Sequence, residues 1–173
     1  MEIKEKITSF IKSPAEFFSS VAEEPLAETA KHLGILVIGM IMAAYISSMG
    51  KIAVSFVNII SRFIIIFLIT PLVLHYIMRL LKGTADLKET LAAYWYIIVY
   101  VGAASLPFLV LQNLFTNLIL AILVNIIFLV IFVWMIVLFV IGFKEVHEIS
   151  AVKVIASFLL MALVFFLVRL LIL

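Results

Sequence analysis

The sequence predicts an all-α integral membrane protein: a bundle of five transmembrane helices preceded by short amphipathic interfacial helices. Three observations carry that prediction. Of the 173 residues, 67% are apolar and 13% charged, against roughly 45–50% and about 25% in an ordinary soluble domain. A chain of this length still exposes about a third of its unfolded surface after folding, so its excess apolar surface, with a mean hydropathy of +1.38, needs lipid to cover it. The charges also fall at the ends of segments, and between them lie uncharged runs near the 20 or so residues that a helix needs to cross a hydrocarbon core of about 30 Å.

Residues 1–32 read as a separate N-terminal segment on the cytoplasmic surface. Glu2, Glu5, Glu16, Glu23 and Glu24 and the lack of a continuous apolar core argue against a signal peptide. Ile3, Ile7, Phe10 and Ile11 recur at helical spacing. Ser13-Pro14-Ala15-Glu16 has the form of a capping box with proline at the first helical position, and Phe17, Phe18 and Val21 make a second apolar stripe. Such helices lie in a membrane interface or cover the end of a bundle.

Residues 33–173 form the membrane domain, with helices expected near 33–50, 55–81, 89–111, 117–143 and 151–172. Thr90 to Phe143 is uncharged over 54 residues, about 81 Å if wholly helical, so it holds two spans. The polar cluster Gln112-Asn113 to Asn117, after Pro107, is the natural break. Gly83 stands where the second helix ends, Asp86-Leu87-Lys88-Glu89 has the capping-box spacing that opens the third, and Ser150 is placed to cap the fifth.

Five spans put the termini on opposite sides. Nine of the twelve Lys and Arg residues (Lys4, Lys6, Lys12, Lys31, Arg79, Lys82, Lys88, Lys144, Lys153) then share one side, against Lys51, Arg62 and Arg169 on the other. The positive-inside rule assigns the richer side, and the N-terminus, to the cytoplasm.

Several chemistries find no support. With no cysteine there is no disulfide, thiolate metal site or cysteine nucleophile. A net charge of +2 is too small to suggest nucleic acid. His32, His75 and His147, with Glu145 and Glu148, invite a metal hypothesis, but there is no HExxH and no histidine pair at helical spacing. Neither a metal site nor a cofactor is expected: His147 is expected to bond a turn or helix end, and His75 to reach with Arg79 toward the headgroups. Ser47, Ser48, Ser61, Ser105, Ser150 and Ser157 lack the context of a nucleophile, so no catalytic residue is assigned and the chain is read as non-enzymatic.

For a transporter or channel, the second reading, the polar groups inside the spans would be Asn58, Thr70, Tyr100 and Asn125, with Pro71 and Pro107 as helix breaks. The simpler expectation is that Asn125 makes an interhelical bond and that the carbonyls freed by the prolines are satisfied locally. Gly39, Ala43 and Ser47 form a small-residue packing row facing another helix or a second copy of the chain, and Tyr94-Trp95-Tyr96 suits an interfacial belt.

Taken together, Ser13-Pro14-Ala15-Glu16-Phe17-Phe18, the loop Gly83 to Thr90 leading to Tyr94, and above all Gly142-Phe143-Lys144-Glu145-Val146-His147-Glu148-Ile149-Ser150-Ala151-Val152-Lys153 resemble the Yip1 domain family over about residues 10–170. The resemblance implies five spans, a cytosolic N-terminus, a role in vesicle trafficking and, in the eukaryotic members, binding of Rab-type small GTPases. With about 30 residues before the first span and no aspartate-leucine-tyrosine-glycine-proline motif, the chain is similar to the compact archaeal or bacterial form. The expected function is therefore a membrane-organising protein whose cytoplasmic face, with Asp86, Tyr94, His147, Ser150 and Lys153 as its candidate site, meets a protein partner or lipid.

Overall fold

The computed structural model describes residues 3–31, 33–34, 37–38, 64–114 and 118–172. All regular structure among them is helical. The expected 33–50 helix beyond residue 38, the 55–63 part of the second, His32, Asn58 and the row Gly39, Ala43 and Ser47 lie outside the described residues.

Two short helices open the chain, α1 (Ile3–Lys12) and α2 (Pro14–Ala22). Ser13 donates its amide to the Ser9 carbonyl at 2.8 Å and accepts from the Phe17 amide at 3.0 Å. It thus ends one helix and begins the next through backbone alone, and its side chain makes no capping bond. The expected capping box does not form, because the break between the helices is one residue long and the backbone bonds already span it.

The apolar stripe of this segment is divided. Phe10, Phe17, Phe18 and Val21 are buried, whereas Ile7 and Ile11 remain exposed. Phe17 meets the Tyr96 ring edge-on at 5.1 Å, and Phe10 meets Tyr100 at 4.9 Å and Trp134 at 5.8 Å. Burying a phenylalanine side chain stabilises by about 1.5–3 kcal/mol, with about 0.5–1.5 kcal/mol more for well-oriented aromatic pairs. Those terms hold the segment on the bundle and leave only its Ile7–Ile11 edge for the interface.

Residues 64–80 run as one helical stretch, a π-helical turn at Ile65–Ile69 leading into α3 (Thr70–Leu80). Proline explains the wide turn. Pro71 has no amide hydrogen, so the carbonyl four residues before it, on Phe67, loses its helical partner. Trp95 Nε1 donates to that carbonyl at 2.8 Å, while Thr70 bonds the Ile65 carbonyl through its amide and, at 2.8 Å, through its hydroxyl. The carbonyl is satisfied, but not locally as expected: its donor is a tryptophan 28 residues further on, which sequence alone assigns to a lipid belt.

Three long helices follow: α4 (Leu87–Leu114), α5 (Leu118–His147) and α6 (Ala151–Ile172). These helices lie where helices are expected near 89–111, 117–143 and 151–172, with α4 continuing to Leu114 and α5 to His147. Lys144, Glu145, Val146 and His147 are thus its last turn rather than loop, because Phe143, Val146 and His147 are buried and helical continuation keeps them so. The chain then reverses in three residues, beginning at Glu148 in the left-handed region at φ 53°.

Helix α4 is central. It packs along α5 and against α2 and α3, while α6 lies on α3 and α5. Phe139 stacks parallel to Phe143 at 5.8 Å, with Phe158 of α6 against both. Asn125 is exposed and donates to the Ala121 carbonyl of its own helix at 2.9 Å. The expected interhelical bond is absent because the acceptor one turn back is the nearest and no described helix covers that face.

Candidate functional site

At one end of the bundle the α3–α4 turn, the last turn of α5 and the start of α6 meet. Helix α3 closes with a Schellman arrangement in which Gly83 N bonds the Met78 carbonyl at 2.9 Å and Lys82 N the Arg79 carbonyl at 3.1 Å. The left-handed residue is Lys82, at φ 70°, rather than the glycine. Gly83 is required for space: a Cβ there would lie 2.6 Å from His147 Nδ1 and 3.0 Å from the Met78 carbonyl. Arg79, exposed, donates to the Thr84 carbonyl at 3.1 Å and spans the same turn.

Asp86 begins α4 as its sequence pattern predicts. Its amide donates to Glu89 at 2.8 Å, and the Glu89 amide donates to Asp86 Oδ1 at 2.9 Å, the reciprocal capping box. The turn is joined to α5 directly: the His147 carbonyl accepts from the Thr84 amide at 3.0 Å and from its hydroxyl at 3.1 Å.

Beneath that joint lies a buried polar bridge. Thr90 Oγ1 is 2.8 Å from His75 Nδ1, 3.0 Å from His147 Nε2 and 2.9 Å from the Asp86 carbonyl. All three residues of the bridge are buried, His147 and Thr90 completely. One hydroxyl thereby ties three helices together. His75 does not reach for the headgroups with Arg79; its ring turns inward because Thr90 offers a buried partner.

The expected site residues divide accordingly. Asp86 and Ser150 are exposed and Lys153 half-buried; Ser150 Oγ accepts from the Lys153 amide at a long 3.4 Å and so opens α6. His147 is sealed inside, and Tyr94, 4% exposed, faces the Phe139 ring at 5.6 Å. These two support the face from within, since their burial keeps them from touching a partner.

The N-terminal segment adjoins the same end. The Phe18 ring lies 3.0 Å from where a Cβ on Gly142 would sit, and a shallow depression is lined by Ser13, Pro14, Glu16, Ile141, Lys144 and Glu145. A second buried network anchors α1. Lys6 pairs with Glu24 and donates to the Tyr96 hydroxyl at 3.0 Å, and that hydroxyl donates to the other Glu24 oxygen at 2.8 Å. Neither Thr90 nor the Lys6–Glu24–Tyr96 network is singled out by sequence reasoning. The available signal was need: two histidines and a lysine drawn into apolar surroundings require partners. Among the described residues no three His, Asp or Glu side chains converge to hold a metal ion.

Three of the described helices, over Leu87–Phe108, Leu118–His147 and Ala151–Leu170, are long and apolar enough to cross a membrane, and Ile65–Leu80 is a shorter apolar helix. That composition, with the charged and capped turns gathered at one end, defines a polytopic helical membrane protein. The chain belongs to the Yip1 domain family, whose family model matches residues 8–172, a family associated in general with membrane trafficking. No curated protein and no solved structure matches it.

Proposed function

We propose that this Yip1-family protein is a non-enzymatic platform, with five spans and a cytoplasmic N-terminus, whose cytoplasmic face binds or organises a protein partner or lipid during membrane trafficking or organisation. The observation that carries this reading is the convergence of α2, the α3–α4 turn and the α5–α6 turn at one end of the bundle. They are tied there by Thr84 to His147, by Thr90 to both histidines and by Phe18 to Gly142. A face held by buried bonds keeps its exposed groups, Asp86, Ser150 and Lys153 among them, in fixed relation, and such preorganisation favours recognition. The distribution of Lys and Arg supports a cytoplasmic position.

A photo-crosslinking residue at Ser150, in native membranes, tests this against the same residue at lipid-facing Leu163. The expected result is a discrete adduct from position 150 alone, weakened by Lys153→Glu, and no solute flux through proteoliposomes of the purified protein. Identical lipid-only adducts from both positions would contradict it, as would a flux abolished by Thr70→Val or Asn125→Leu, which would favour a transporter or channel.

A further inference from the structure

We propose that His147 is a proton-operated latch: its neutral ring holds the 81–86 turn against the end of α5, and protonation at Nδ1 releases that turn. Thr90 has one hydroxyl hydrogen, and the Asp86 carbonyl 2.9 Å away can only accept, so the hydrogen goes there. The two remaining lone pairs of Thr90 Oγ1 then accept from His75 Nδ1–H and His147 Nε2–H. This is the one assignment that satisfies all three contacts; it places a hydrogen on His147 Nε2, so the neutral ring is the Nε2–H tautomer.

His147 Nδ1 is left as a bare lone pair. It is fully buried with no hydrogen-bond partner among the described residues, and it is pressed against Gly83 so closely that a single carbon added there would sit 2.6 Å away. An unpaired lone pair is tolerable, but a proton on Nδ1 creates a charged donor facing a methylene with nothing to accept it.

The surrounding side-chain charges do not relieve the strain. From α3, the His75 ring lies 6.0 Å away between centroids and Arg79 spans the turn, and both act on His147 as cations or potential cations. At the start of α4, the Asp86 and Glu89 carboxylates are committed to each other's backbone amides. On α6 the first ionisable residue is Lys153, another cation. Lys144 and Glu145 of α5 pair with each other, and Glu148 faces outward past the helix end.

Protons therefore bind better to a state in which the turn has moved off the ring, so acidification shifts the population toward it. The Thr84 bonds to the His147 carbonyl are the contacts that moving the turn would break. The latch stands on this geometry whether or not the face it controls is a partner-binding platform.

Because the chain has no cysteine, a nitroxide on Thr84→Cys in liposomes reports the turn alone. Between about pH 7.5 and about pH 4.5, a range that brackets ordinary histidine titration, the mobile fraction of its spectrum should rise reversibly by about twofold or more. His147→Gln preserves an Nε2 donor to Thr90 but does not titrate, and should hold the label immobile throughout. A label at Ser150→Cys should change much less. The proposal is overturned if the Thr84 label does not respond to acid, or if His147→Gln responds like the parent, which would assign the effect to a group other than His147. Should the glutamine variant fail to fold, 15N spectra of histidine-labelled protein with the native sequence decide instead: a neutral His147 in any tautomer other than Nε2–H contradicts the latch.

Discussion

The two ends of this bundle are built by different physics. At the turn end, around Thr84, Thr90 and His147, helices are joined by side chains bonding to backbone and to one another across long stretches of sequence. Toward the other end, the side chains of α5 at Ile122, Leu123, Ile126, Leu129 and Val130, and of α6 at Leu159, Leu163, Val164, Phe166 and Leu167, lie exposed on the described chain. Within the candidate spans, 44% of α4 is buried in protein but only 11% of α6. Specificity therefore resides at the turn end. Lipid tails cover leucine as well as another helix does, so apolar exposure at membrane depth carries little penalty and little information, whereas a buried imidazole or ammonium demands a particular partner.

Substitutions should obey that contrast. The largest loss is expected from Lys6→Met, which removes the ammonium from a carboxylate only 13% exposed and from the Tyr96 hydroxyl. Breaking one side of a buried pair destabilises by about 3–5 kcal/mol, to be read as a fall in Tm of the purified protein and faster proteolysis of the N-terminal segment. Gly83→Ala comes next, since its Cβ meets both His147 and the rigid Met78 carbonyl. Overpacking of this kind costs about 1–3 kcal/mol, and thermal melts in detergent should show it. At the far end, Leu163→Ala removes a half-exposed side chain from the lipid face and should shift stability by no more than about 0.5 kcal/mol in bilayers. A loss there comparable to that at Gly83 would break the comparison and mark α6 as covered by protein.

Legibility in the sequence follows the same division. The third to fifth helices were readable to within a few residues because charge-free length and capping patterns are local, and Asp86 with Glu89 forms the capping box that its spacing announces. Pro71 disclosed a freed carbonyl, but that Trp95 satisfies it depends on 28 residues of intervening chain. Ser13 showed a capping pattern that the short α1–α2 break makes unnecessary. His147 was found as a candidate from its place in a motif, yet its partner Thr90 is 57 positions away. Contacts between distant segments carry no periodicity, so only the requirement for a partner, and not the partner itself, could be read.

Thr90 and His147 act as one hydrogen-bonded unit where the turn meets α5. A double-mutant cycle on Thr90→Val and His147→Leu, read as unfolding free energy in the same detergent, tests it directly. The double variant should lose clearly less than the sum of the single losses, with a coupling of about 1 kcal/mol or more, as for residues in one hydrogen-bond network. Additive losses would show that the two residues act independently and would contradict it.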